Sequence, residues 1–176
     1  MSGHNKWSKI KNKKAVTDAA KSKIFSKMAK LISTASRQVK GDTSSPILRT
    51  AIDKAREYNM PTDNIERAVK SGAGSDAEVL EAITYEAYGP GGSALVVETL
   101  TDNRNRAAQE IKLILSKHGF ALAAPGSATW AFTKEDDSWK PNTTITLSEE
   151  DEKILGTLIE ELEDNDEIQD VYTNAE

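Results

Sequence analysis

Eleven cations crowd the first forty residues. Lys6, Lys9, Lys11, Lys13, Lys14, Lys21, Lys23, Lys27, Lys30, Arg37 and Lys40 face Asp18 alone, a local balance of +10 on a chain whose formal total is −5. Over Met1–Lys14 the lysines Lys6, Lys9, Lys11, Lys13 and Lys14 surround Trp7, with no apolar periodicity that could bury the segment. That spacing suits a run of phosphates with a base or sugar stacked on the indole. Phosphate neutralisation gives affinity, and aromatic stacking tolerates any base. Trp7 has a second use open to it, as an apolar anchor that docks the arm on the domain that follows.

A second constellation is Asp102-Asn103-Arg104-Asn105-Arg106, between an expected strand and an expected helix. Asp102, Asn103 or Asn105 can serve as N-cap. Arg104 and Arg106 then sit where the helix dipole is positive, an unfavourable place for cations unless an anion occupies the site. Two readings stay open. The arginines contact phosphate or RNA, or they bridge to acids such as Glu81 or Glu86.

Catalysis is hard to assemble from this chain. Its two histidines are His4, in the arm, and His118, at an expected helix C-terminus where a cation is favourable. Zero cysteines exclude disulfides, thiolate metal sites and cysteine nucleophiles. No phosphate-cradling glycine-lysine loop is present, and Gly89-Pro90-Gly91-Gly92 lacks the lysine such a loop needs. No catalytic residue, metal site or cofactor is expected, and the chain reads as a binding protein, not an enzyme. No run of ~18 apolar residues exists to span a membrane. The N-terminus lacks a signal-peptide core, and Ser2 excludes N-myristoylation, so a cytoplasmic address is expected.

These groups need elements to hold them. Residues 1–70 carry 16 basic and 6 acidic groups, and residues 71–176 carry 7 and 22, so a basic module precedes an acidic one. Residues 1–14 form a basic arm, residues 15–75 a helical domain and residues 76–176 an α+β sandwich. The first helix is expected over about Val16–Val39, its apolar stripe running from Ile24 and Phe25 to Val39. Lys23, Lys27, Lys30 and Arg37 cluster on its opposite face, either as a solvated surface or as a continuation of the arm's basic patch. Ser45-Pro46 opens a second helix, and Thr62 or Asp63 caps a third, with Glu66 completing a capping box. From Ile83 the period changes to two. Strands are expected at Ile83–Tyr88, Ser93–Leu100, Phe120–Ala123, Ala128–Thr133, Thr143–Leu147 and Ile168–Tyr172, with helices near Arg104–Lys117 and Ser148–Glu163. Glu135–Ser138 reads as an acidic connector. Trp130 and Trp139 are expected to pack on the sheet. The order ββαβββαβ gives an α+β class: an N-terminal three-helix domain, then an antiparallel sheet with two helices on one face.

Several strings match a known family. Met1-Ser-Gly-His-Asn-Lys-Trp-Ser-Lys-Ile-Lys11, Ala51-Ile-Asp-Lys-Ala55, Asn59-Met-Pro61, Ile65-Glu-Arg-Ala68, Tyr85-Glu-Ala-Tyr-Gly-Pro-Gly-Gly92, Thr101-Asp-Asn-Arg-Asn-Arg106, Gly126-Ser127 and Leu162-Glu-Asp164 with Val171-Tyr-Thr-Asn174 follow in order. Nearly the whole chain thereby resembles the YebC/PmpR family, which includes the mitochondrial translational activator of cytochrome c oxidase. The resemblance implies a non-enzymatic RNA- and ribosome-binding translation factor that helps elongation through difficult sequences such as proline runs. The alternative is a DNA-binding transcriptional regulator. Its implied partners are the ribosome, through ribosomal RNA or tRNA, or else DNA, with no membrane and a monomeric chain. It carries RNA contact, as an expectation, onto Lys6–Lys14 and onto Asp102, Asn103, Arg104, Asn105 and Arg106. Family members usually hold a third domain inserted before the final strand–helix–strand. Here Phe132-Thr-Lys134 reaches Trp139 across Glu135–Ser138, so that insertion is expected to be absent.

Overall fold

Thr17 begins the part of the chain that the structure, a computed structural model, describes: residues 17–176. This part divides into two compact units, one ending at Glu81 and one beginning at Ala82.

The first unit packs three helices, α1 (Asp18–Gln38), α2 (Pro46–Glu57) and α3 (Thr62–Ala73). Thr17 caps α1, its side chain accepting from Ala20 N at 3.2 Å, and Asp18 complements the dipole in the first turn. Gly41 ends it at φ +79°, donating its N–H back to Ser36 O at 2.9 Å. Ser45 and Pro46 open α2 as the sequence suggests, although the Ser45 side chain makes no cap bond. α3 departs from expectation. Pro61, not Thr62 or Asp63, holds the N-cap position, so no side-chain cap or capping box forms. The proline ring fixes φ at −59°, and its carbonyl accepts from Asn64 N and Ile65 N. Met28, Ile32 and Ala35 meet Leu48, Ala51, Ile52 and Ala55 and then Met60, Ile65 and Ala68 in one core. α1 and α3 cross closely where Gly72 faces Ser33: a Cβ on Gly72 would lie 2.2 Å from Ser33 O. Beside that crossing the buried Ser36 hydroxyl donates to Val69 O at 2.7 Å.

The second unit runs β1 (Glu81–Tyr88), β2 (Ala94–Thr101), α4 (Arg104–Lys117), β3 (Leu122–Ala123), β4 (Phe132–Glu135), β5 (Ser138–Pro141), α5 (Glu149–Glu163) and β6 (Ile168–Thr173). The fold is α+β, as expected, and the order of element types is again ββαβββαβ, although β4 and β5 are not the segments expected to fill it. The main sheet is ordered β3-β1-β2-β6, with β3 antiparallel to β1 and β6 antiparallel to β2. Leu95 and Val97 of β2 bury against Ile111, Leu115, Leu155, Leu158 and Leu162, so both helices cover one face. Ala94 and Val96 turn the other way, onto Ala128, Ala131, Phe132, Trp139 and Tyr172. Coverage on both faces explains why β2 reads as an unbroken apolar run, Ala94-Leu-Val-Val97, not as an alternation.

Three expected segments differ. Residues 128–131 are no strand: Thr129–Ala131 form a 3₁₀ turn, and β4 starts only at Phe132. The N–H groups of Gly126, Ala128 and Thr129 are all held by the Glu86 carboxylate, which removes them from any ladder. Thr143–Leu147 is reduced to one parallel bridge, Ile145 with Ala175. The acidic connector is instead a tight hairpin in which Glu135 pairs with Ser138 across Asp136-Asp137, and Asp136 takes φ +51°. Aspartate tolerates that left-handed conformation better than most residues do.

Candidate nucleic-acid interface

Lys6, Trp7, Lys9, Lys11, Lys13 and Lys14 lie outside the described residues. The remaining basic candidates fall at two places, one in each unit.

α1 does not present its four candidate cations as one solvated stripe. Lys23 is exposed, Lys30 is half-buried, and Lys27 is buried at 9% exposure, which corrects its expected solvent-facing role. Long aliphatic stems allow such burial while the ammonium group reaches outward. Arg37 is exposed but donates from Nη1 to Ala77 O at 2.6 Å, so it also fastens the segment after α3. Between α1 and α3 lies a groove of about 500 Å³. Lys30, Ser26 and Ser33 line it from α1, and Arg67, Asn64 and Ser71 from α3, over an apolar floor that includes Phe25 and Met60. Helical spacing within α3 could not show that Arg67 shares a groove with Lys30.

In the second unit Asn103 is the N-cap of α4, its side chain accepting from Arg106 N at 3.0 Å. Thr101 steadies this turn, accepting from Asn103 N at 2.9 Å and donating to Glu167 Oε1 at 3.0 Å. Arg106 makes an internal bridge, with partners other than those expected. Its Nε donates to Glu167 Oε1 at 2.9 Å, its Nη2 also reaches that oxygen, and Nη2 meets Asp102 Oδ1 at 2.5 Å. Hydrogen bonding to Glu167 first, and then to Asp102, raises the guanidinium pKa and keeps it charged. Glu167 is buried, and its Oε2 has no hydrogen-bond partner among the described residues. Asn103, Arg104 and Asn105 are exposed beside it.

Glu86, the other acid proposed for this bridge, lies elsewhere. Buried at 6% exposure, it accepts from Gly126 N at 2.6 Å and from Ala128 N and Thr129 N at 2.8 Å each. Burial acts to raise its pKa, but the amide donors outweigh burial and hold it below the usual carboxylate range. The two tryptophans behave differently. Trp139 packs on the sheet as expected, donating from Nε1 to Glu98 Oε1 at 2.9 Å, with Lys134 Nζ 5.2 Å above its ring. Trp130 does not pack. It is 62% exposed, because the turn that replaces its expected strand carries it out of the sheet. His118 caps the C-terminus of α4 with its Nε2 2.8 Å from Glu161 Oε2, a structural tie to α5. Among the described residues no group of three or more His, Cys, Asp or Glu could hold a metal, and no helix is long and apolar enough to cross a membrane.

Comparison with known proteins places this geometry. Residues 5–75 match the TACO1/YebC protein N-terminal domain, and residues 80–137 and 133–175 match the TACO1/YebC second and third domain. A probable transcriptional regulatory protein of Chlorobaculum parvum is 45% identical over 169 residues, covering 95% of this chain and 67% of that protein. One of Trichlorobacter lovleyi is 46% identical over 175 residues, covering 98% and 70%. One of Thermoanaerobacter pseudethanolicus is 36% identical over 239 positions, covering 100% and 97%. Because this chain has 176 residues, at least 63 of those 239 positions have no counterpart in it. The crystal structure of a conserved hypothetical protein from Aquifex aeolicus superposes with a TM-score of 0.79 at 30% identity, covering 90% of this chain and 91% of that one. With both of its units matched, the chain belongs to the TACO1/YebC family.

Proposed function

We propose that this protein is a non-enzymatic RNA-binding translation factor that acts on the ribosome and helps elongation through difficult sequences such as proline runs. The observation that carries the reading is the α1–α3 groove, lined by Lys30 and Arg67 with one acid, Glu78, and by serine hydroxyls, Asn64 and Phe25. Paired cations with hydroxyl donors suit phosphodiester oxygens, and an aromatic floor suits a sugar or base. Arg104, Asn105 and Asn103 at the start of α4 add a second contact, and the lysines of residues 6–14 a third. The factor would act by holding RNA in position.

The names of the relatives favour the second reading, a DNA-binding transcriptional regulator. Against it, Asn64 and Arg67 line the groove with α1, whereas a recognition helix needs such side chains standing clear to enter a major groove about 12 Å wide. The same proposal puts the extra domain of longer relatives at the Asp136-Asp137 turn, where the two matched stretches overlap.

Binding to purified ribosomes and to duplex DNA at two salt concentrations, for the parent chain and a Lys30→Ala/Arg67→Ala variant, tests the choice. Tight ribosome binding that loses affinity and salt slope in the variant supports translation. Sequence-selective duplex binding that outcompetes ribosomes replaces it with the regulator.

A further inference from the structure

The second unit carries an aromatic pair that the RNA reading does not use. Trp130 is 62% exposed and Tyr88 36% exposed. Their polar edges are tied down: Trp130 Nε1 donates to Tyr88 Oη at 2.8 Å, and Tyr88 Oη donates to Ser127 O at 2.5 Å. The backbone beneath is held as well, because Glu86 grips the amides of Gly126, Ala128 and Thr129 on both sides of Ser127 and next to Trp130. The indole is thus fixed at its edge while much of its surface is bare. Rigid aromatic side chains lose little conformational freedom on binding, which makes them effective anchors at interfaces.

Charge selects the partner. Residues 82–176 hold seven basic and nineteen acidic groups, a balance of −12. The β4–β5 hairpin, whose first strand starts two residues after Trp130, carries Glu135, Asp136 and Asp137 at its turn, with Lys140 paired to Glu135 and Lys134 to Glu98. Glu98 and Asp170 are joined to that hairpin through Trp139 Nε1 and the Tyr172 hydroxyl. A polyanion is repelled by such a unit and a polycation is drawn to it. Tryptophan is the best cation–π acceptor among the side chains, and this layer already holds one such contact, Lys134 over Trp139. We propose that Trp130 with Tyr88 is a docking site for an arginine- or lysine-rich segment of a protein partner, with a cationic side chain stacked on the indole. This goes beyond the RNA reading and does not rest on it.

The test uses the full chain and two labelled probes, an oligo-arginine peptide and a single-stranded oligouridylate, followed by fluorescence anisotropy. The peptide is expected to bind with an affinity that falls with salt. Trp130→Ala should weaken it by about 3- to 30-fold, in keeping with one exposed to partly desolvated cation–π contact. Trp130→Phe should lose less. Tyr88→Phe, which keeps the ring but frees the indole edge, should also weaken binding, and circular dichroism melting verifies that each variant is folded. Peptide affinity unchanged in folded Trp130→Ala, or no peptide binding to the parent chain, overturns the proposal. So does a Trp130→Ala loss confined to oligouridylate, which would make the pair a base-stacking platform.

Discussion

Replacing Glu86 by Gln asks whether one buried carboxylate organises the loop from Gly126 to Thr129. Its Oε1 accepts one amide and its Oε2 accepts two. Glutamine keeps the shape but turns one oxygen into an NH₂ group that must face an amide N–H. The better orientation keeps Ala128 and Thr129 and loses Gly126. A hydrogen bond to a charged group contributes about 1.5–3 kcal/mol and a neutral one about 1. Two weakened bonds and one replaced by opposed donors together cost about 3 kcal/mol. At a urea slope of ~2 kcal/mol/M, the midpoint should fall by about 1.5 M. Urea unfolding of the parent and Glu86→Gln, followed by far-ultraviolet circular dichroism across a pH series, measures it. The pH dependence has a definite sign. The folded pKa is depressed, so the stabilisation is complete above the unfolded value of about 4.3 and is lost as pH falls through the lower folded value. The parent–variant gap should be flat near neutrality and close in acid. A neutral-pH gap below about 0.5 kcal/mol, or one that stays open well below pH ~4, refutes the reasoning.

Gly72→Ala tests the α1–α3 crossing. The new Cβ would sit 2.2 Å from Ser33 O and 2.7 Å from Ser33 Cα, both backbone atoms, so the helices must separate. Overpacking of about 1–3 kcal/mol, partly offset by the better helix propensity of alanine, predicts a net loss of about 1–2 kcal/mol in thermal or urea unfolding. Stability equal to or above the parent's would show that the crossing yields easily. Glu167→Gln weakens the bridge that holds Arg106. If that guanidinium then engages phosphate, the salt slope for single-stranded oligonucleotide binding should steepen by about 0.7. An unchanged slope would leave Arg106 as a structural group only.

The helices of the first unit, and β1, β2, α4, α5 and β6 of the second, were legible because periodicity reports burial directly. Leu48, Ala51, Ile52 and Ala55 repeat at helical spacing and bury together. The expected start of α5 at Ser148 is also the observed one, with Asp151 N donating to the Ser148 Oγ at 3.1 Å. Local chemistry also located the N-cap of α4 within the Asp102–Asn105 string, where Asn103 supplies it.

What the sequence by itself determined were properties that near neighbours decide: the apolar helical faces, the caps of α4 and α5, and the separation of a basic from an acidic half. Tertiary structure decided everything that depends on partners far along the chain. Glu86 captures amides some forty residues away, so residues 128–131 turn instead of extending and Trp130 is exposed. Arg106 finds Glu167 sixty-one residues on, which no spacing rule anticipates. Lys30 and Arg67 come to line one groove because Gly72 lets α3 approach the backbone of α1 at Ser33. A side chain's periodicity fixes which way it faces on its own element, whereas its chemical partner is set by packing between elements, and that packing is a property of the folded whole.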